Sequence, residues 1–169
     1  MATWIIDPTH SEVHFKVKHL MISTVTGTFG TYEGSVETAN DEDFAGSKVS
    51  FSADIDSIST GQEQRDGHLK SGDFFDAEKF PTLTFKSTSV KKAKGNKYEI
   101  VGDFTMHGIT KSVVLTAVNT GIVKNQAGND VAGLSISGVV KRSDFGVGQA
   151  GPGLSDEVKL VADLEVSKN

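Results

Sequence analysis

The chain reads as an all-β protein: an eight-stranded antiparallel barrel with a short helical insert between its third and fourth strands. Three observations predict this. Eight stretches alternate apolar and polar residues with a period of two, the spacing of a strand that buries one face. Most connections between them are short and carry turn residues, which implies antiparallel neighbours because a parallel pair needs a long crossover. Of 169 residues, 18 are glycine and 3 are proline, a mixture that suits twisted strands and tight turns better than a helix bundle. Eight strands also close into a barrel about wide enough for one small ligand. The pattern points to a container more than to a catalyst.

The first strand, at roughly 11–20, sets Val13, Phe15, Val17 and His19 on one side and His14, Lys16 and Lys18 on the other. The second, at 24–37, carries Gly27 and Phe29 on one parity. The third, at 47–58, opposes Val49, Phe51, Ala53 and Ile55 to Ser50, Ser52, Asp54 and Asp56. The remaining five fall at 82–91, 97–106, 112–122, 131–142 and 156–167. The separators are Asn40-Asp41-Glu42-Asp43, Lys94-Gly95-Asn96, His107-Gly108, Gly128-Asn129-Asp130 and Gly151-Pro152-Gly153, all turn chemistry. No linker, low-complexity tract or repeat interrupts the series, so one domain over residues 1–169 is expected.

The one long connection runs from Ser59 to Pro81. Thr60-Gly61-Gln62-Glu63 has the pattern of a capping box, which predicts a helix of two to three turns ending near Lys70, with Asp66 and Lys70 paired four residues apart on its outer face. Leu69 of this helix, then Phe74 and Phe75, and after a polar turn Phe80, need burial. The mouth of the barrel offers the apolar surface. Two roles follow: a cap that seals the core, or a lid over a ligand chamber.

With the apolar faces turned inward, the candidate lining of such a chamber is Phe15, Val17, Phe29, Phe51, Ile55, Leu69, Phe74, Phe75, Phe85, Ile100, Phe104, Leu115, Ile136, Val140 and Leu160. Small residues share the inward parity: Gly27, Ala53, Gly102, Ala117, Gly138 and Ala162. They either bend their strands or leave spare volume. An interior of this kind suits an apolar chain, because a sugar or a multiply charged ligand would leave polar groups unpaired.

Composition excludes several classes. There are no cysteines, hence no disulfide framework, thiolate metal site or cysteine nucleophile. The formal charge is -5 and no basic stripe is interleaved with aromatics, so nucleic acid is not expected as a partner. No apolar run approaches the roughly 18 residues that span a bilayer, and stable membrane insertion is not expected. Only Trp4, Ile5 and Ile6 precede Asp7-Pro8, without the basic start and apolar stretch of a signal peptide, so a cytoplasmic location is expected. A mature secreted protein restarted at methionine would read the same. Monomer and homodimer both stay open.

His14 and His19 have opposite strand parity, and His10 precedes the strand near Pro8, so no three-histidine metal site is expected. His19, on the inward parity at a strand end, is a candidate head-group contact or a histidine satisfied by backbone. Arg142, in Arg142-Ser143-Asp144-Phe145-Gly146, either locks its loop or captures an anion such as a phosphate head. An enzyme would have to use His68 with Asp66, or His19, as acid–base groups. No Gly-x-Ser-x-Gly elbow supports Ser71 as a nucleophile, and no catalytic residue is assigned.

Taken in order, several motifs resemble the YceI-like family of lipocalin-like barrels associated with polyisoprenoid binding. They are Asp7-x-x-His10-Ser11-x-Val13-x-Phe15-x-Val17-x-His19, Gly27-x-Phe29, Ser57-Ile58-x-Thr60 and Arg65-Asp66-x-His68-Leu69-x-Ser71-x-Asp73-Phe74-Phe75-Asp76. Phe80-Pro81 with Phe85 and Ser87, Gly102-x-Phe104-Thr105, Gly108-x-Thr110 and Arg142-Ser143-Asp144-Phe145-Gly146 complete the series. The resemblance implies a non-enzymatic barrel that binds, stores or transports a long isoprenoid tail, such as that of a quinone or polyprenyl phosphate. It implies no cofactor beyond that lipid and no family catalytic residues. An enzyme acting on an isoprenoid or acyl lipid, and a cavity-free structural barrel, are the alternatives.

Overall fold

In a computed structural model that describes residues 2–39, 43–148 and 153–169, the chain forms a closed antiparallel barrel of eight staves. Three staves are interrupted. The first is β1 (Ala2–Ile6) and β2 (Glu12–His19), the second β3 (Ser23–Phe29) and β4 (Tyr32–Thr38), and the third β5 (Lys48–Asp54) and β6 (Ile58–Ser59). The other five are continuous: β7 (Thr82–Lys92), β8 (Lys97–Met106), β9 (Ile109–Lys124), β10 (Asp130–Lys141) and β11 (Leu154–Lys168). Ring closure falls to β11, which pairs with β10 along one side. Along its other side it pairs first with β2 and then, past a break, with β1.

That break has a local cause. Asp7 caps a 3-10 turn over Pro8–His10, and proline at its start removes a backbone donor from the ladder. Ser11 Oγ donates to the Asp7 carbonyl at 2.7 Å and accepts from the Glu165 N–H at 3.0 Å, which binds the interruption to β11. β1 is a stave segment that the alternation pattern did not supply. Its sequence is an almost continuous apolar run before a proline.

The expected insert is present as α1 (Glu63–Lys70), but its cap differs from the box read in the sequence. Gln62 is the N-cap and accepts from the Arg65 N–H at 3.1 Å. Thr60 instead donates its N–H and hydroxyl to Asp66 Oδ1, at 2.8 and 2.6 Å, and accepts from Arg65 Nε at 2.7 Å. The expected Asp66–Lys70 pair is therefore not made; Lys70 reaches Asp56 at 3.7 Å. A short carboxylate aimed at two donors of Thr60 outcompetes an exposed ion pair worth a few tenths of a kcal/mol. After α1 the chain folds back on its last turn through Phe75 N–H to Leu69 O (2.9 Å) and Ala77 N–H to Lys70 O (2.8 Å).

Between β10 and β11 lies α2 (Arg142–Phe145), a single turn stopped by Gly146 in the left-handed region at φ 65°. The expected turns at 40–42 and 151–152 lie outside the described residues.

Candidate functional site

Among the described residues, the inward side chains border a pair of cavities stacked along the barrel. The larger, about 130 Å³, lies toward the end where Trp4, Phe44 and Tyr98 form an aromatic seal. Trp4 and Phe44 rings stand 5.4 Å apart and Phe44 and Tyr98 rings 6.1 Å apart. Its wall includes Phe29, Phe51, Phe85, Ile100, Phe104, Leu115, Ile136 and Leu160, all expected from the sequence, together with Phe44 and Tyr98. The smaller, about 60 Å³, lies under the insert and is bordered by Phe15, Val17, Leu69, Phe74, Phe75, Val140, Arg142 and Leu154.

Phe29, Leu83, Phe104 and Leu160 border both cavities, so one layer of four side chains divides the interior. Two of the four are braced by other rings: Phe29 by Phe15 at 5.7 Å and Phe104 by Phe145 at 5.4 Å. The larger cavity is close in volume to the roughly 150 Å³ apolar void that stays dry and takes benzene in an engineered protein. A longer occupant has to displace the dividing layer.

The small inward residues act in two ways. Gly27 faces Phe15 across the β2–β3 pair, and a methyl group built on it would fall inside the Phe15 ring. Gly102 lies against the Phe85 ring and the Lys86 carbonyl, and Gly138 against Leu115. These glycines make room for a neighbouring side chain rather than for a ligand, which corrects the expectation of spare volume there. Ala117 and Ala162 do border the larger cavity.

Ile55 needs a correction as well. It is 1% exposed in the core but borders neither cavity. The 3-10 turn Ile55–Ser57 breaks the extended backbone on which a two-residue period depends. His19 lies exposed at the rim, opposite Leu154, and is not on either wall.

Arg142 is buried and borders the smaller cavity. It donates Nε to Ser155 O (3.0 Å), Nη1 to Val147 O (2.8 Å) and Nη2 to Leu154 O (3.2 Å). Those bonds lock the β10–β11 connection, as one of its two expected roles required. Asp156 of β11 holds the same connection through Ser143. Asp156 accepts from the Ser143 N–H (2.8 Å) and hydroxyl (2.7 Å), and these bonds hold its carboxyl below the usual range.

Of the residues considered for catalysis, Asp66 accepts from Thr60, His19 is exposed at the rim, and Ser71 and His68 bond locally. Ser71 donates its hydroxyl to the His68 carbonyl at 2.6 Å, not to the ring, and the His68 ring meets Asp73 at 3.1 Å. His10 comes together with Asp7 and Glu165, while His14 pairs with Glu12 at 2.9 Å. Of the wall residues that the candidate set omitted, Tyr98 shares the β8 parity of Ile100 and Phe104, so alternation contained it. Phe44 sits in the β4–β5 connection and carries no periodic signal.

The chain matches the YceI-like domain family over residues 4–166. A UPF0312 protein of Photorhabdus laumondii is 39% identical over 157 residues, which cover 92% of this chain and 80% of that one. The crystal structure of a YceI protein from Campylobacter jejuni superimposes with a TM-score of 0.81 at 34% identity, over 96% of each chain. A domain from Saccharophagus degradans, described as polyisoprenoid binding and implicated in plant cell wall breakdown, shares the fold. Its TM-score is 0.69 at 14% identity over 98% of each chain. By the extent of the first two matches and of the domain, this chain belongs to the YceI-like family.

Proposed function

We propose that the protein is a non-enzymatic binder of a long isoprenoid lipid, a carrier or store that holds the tail inside the barrel. The observation that carries this is the pair of stacked apolar cavities separated by a single layer of Phe29, Leu83, Phe104 and Leu160. A tail entering at the lid end and displacing that layer would occupy both. Each methylene removed from water contributes about 0.8 kcal/mol, so a branched hydrocarbon chain binds without any polar contact. The same fold in a domain described as polyisoprenoid binding supports this reading.

Arg142 favours an anionic head at the lid end. Its side chain borders the smaller cavity, and its guanidinium lies behind that apolar wall, bonded to the carbonyl oxygens of Ser155, Val147 and Leu154. A quinone or a polyprenyl phosphate has the required tail, and the phosphate has the charge as well. The test is organic extraction of the purified protein followed by lipid mass spectrometry. A long-chain isoprenoid at a fixed ratio to protein is expected; recovery of no long-chain lipid from freshly purified material sinks the proposal.

A further inference from the structure

The hairpin joining β2 to β3 turns on Leu20 and Met21, whose φ angles are 53° and 58°. Left-handed backbone at both central positions of a tight hairpin normally belongs to Asn and Gly, because a bulky side chain is strained there. Here these positions and the next hold Leu, Met and Ile, with exposures of 52, 72 and 85%. Stability alone would select a polar tip. The chain instead keeps three large apolar side chains in solvent on a strained turn, and strain of this kind gathers where a segment has a task.

The tip is also held and placed. Leu20 N–H donates to the Gly153 carbonyl at 2.8 Å, and Ile22 N–H to the His19 carbonyl at 3.1 Å. It projects from the lid end, where Val17 of β2 and Leu154, opposite His19, border the smaller cavity. Charge is ordered along the ribbon that leads to it. Along β2 the side chains run Glu12, His14, Lys16 and Lys18 toward the tip; on β11 Asp163 faces Glu12 and Lys159 faces Lys16, while exposed Asp156 and Glu157 lie in the bulge between Val158 and Leu154. Lys16, Lys18 and Lys159 are exposed and form a cluster of three lysines near the tip; of the two acids beside it, Asp156 is bonded to Ser143 and Glu157 lies opposite Lys141.

We propose that this hairpin tip is a membrane-docking element. Leu20, Met21 and Ile22 enter the head-group region of a bilayer containing anionic lipid, while Lys16, Lys18 and Lys159 meet the lipid phosphates. Apolar insertion and lysine attraction act together at such a surface, and salt weakens only the second. Docking brings the lid end of the barrel to the bilayer. The proposal rests on the tip and the lysine cluster alone, so it survives even if no lipid is recovered from inside the barrel.

The experiment is flotation of the full chain with vesicles of phosphatidylcholine and phosphatidylglycerol in equal parts, compared with phosphatidylcholine alone. The protein is expected to float with the mixed vesicles. Partitioning should fall about tenfold or more in a Met21→Ser, Ile22→Ser double variant, as expected for removal of inserted apolar area. A Lys16→Glu, Lys18→Glu variant should lose its preference for the anionic vesicles. In Ile22→Trp, emission should shift to the blue on adding mixed vesicles, against the constant background of Trp4. Absence of flotation, equal flotation of the serine variant, or unshifted emission would each overturn the proposal. So would a dimer that the serine substitutions dissolve in the absence of vesicle binding, which would assign the tip to a second copy of the chain.

Discussion

At one end of the barrel Trp4, Phe44 and Tyr98 meet at tilted and edge-on angles in a seal that belongs to the same core as Ala132 and Val166, both at 0% exposure. At the other end the cover is an insert, α1 and the segment after it, tied to the staves by a few bonds such as Ile55 N–H to Pro81 O at 2.9 Å. Phe74 there is only half-buried and meets the exposed His68 ring edge-on at 5.0 Å. Both ends close an apolar interior with aromatic rings. At the second, Phe75 belongs to the core, but Leu69, Phe74 and Phe80 are only half-buried. Sealing and covering are thus separate tasks, and substitutions should separate them.

The largest effect belongs to the seal. Trp4→Ala should lower unfolding free energy by about 3–5 kcal/mol, the usual range for deleting a buried indole, as read by urea denaturation. A loss below about 1 kcal/mol would show that the seal is dispensable and would erase the contrast between the ends. Next comes the dividing layer. Leu83→Ala should cost about 2–3 kcal/mol and, by joining the two cavities, shift the preferred ligand toward longer tails in a chain-length series. An unchanged length preference would mean that Leu83 does not separate the chambers. Phe74→Ala should cost only about 1 kcal/mol, since the ring is half-exposed before its removal. Its signature is kinetic: an apolar dye held in the barrel should leave faster, at nearly unchanged stability. Equal release rates would make the insert a cap and not a lid.

Much of this was legible from period two alone. Phe15, Phe85, Ile100, Phe104 and Leu160 face inward because an extended strand puts alternate residues on one side. The pattern failed where the backbone is not extended, as at Ile55 in its 3-10 turn, or where a residue lies between strands, as with Phe44. The helix cap failed differently. Thr60 and Glu63 have the spacing of a capping box, yet Asp66 competes for the same donors and its geometry is set by tertiary placement. The division of the interior was beyond alternation, because parity says which side chains face inward and not which of them meet across the barrel. Gly27 admits the Phe15 ring and Gly102 the Phe85 ring, and neither sequence position announces that its neighbour will fill it. The hairpin tip was hidden too: Leu20, Met21 and Ile22 carry no turn signal.

The smallest expected effect lies at the interruption between β1 and β2, where β11 changes partners. Asp7 accepts from the Thr9 N–H and hydroxyl and from His10 Nδ1 at 2.8 Å. The His10 bond, followed by those from Thr9, lowers its pKa from 3.8 to about 2. The Asp7 hydrogen bond likewise raises the His10 pKa above 6.5. A lowered carboxyl stabilises the fold above pH 3.8, and that contribution disappears as pH falls through about 2. A raised imidazole stabilises it below pH 6.5, and that contribution disappears as pH rises through the folded value. Both terms are present together between those limits. The pair is open to water, so the effect on melting temperature should be small. Asp7→Asn should flatten the melting profile on both sides of that window relative to the parent. If the two profiles run parallel from acid to mildly alkaline pH, the pair contributes nothing, and the interruption is held by Pro8 and the Ser11 bonds alone.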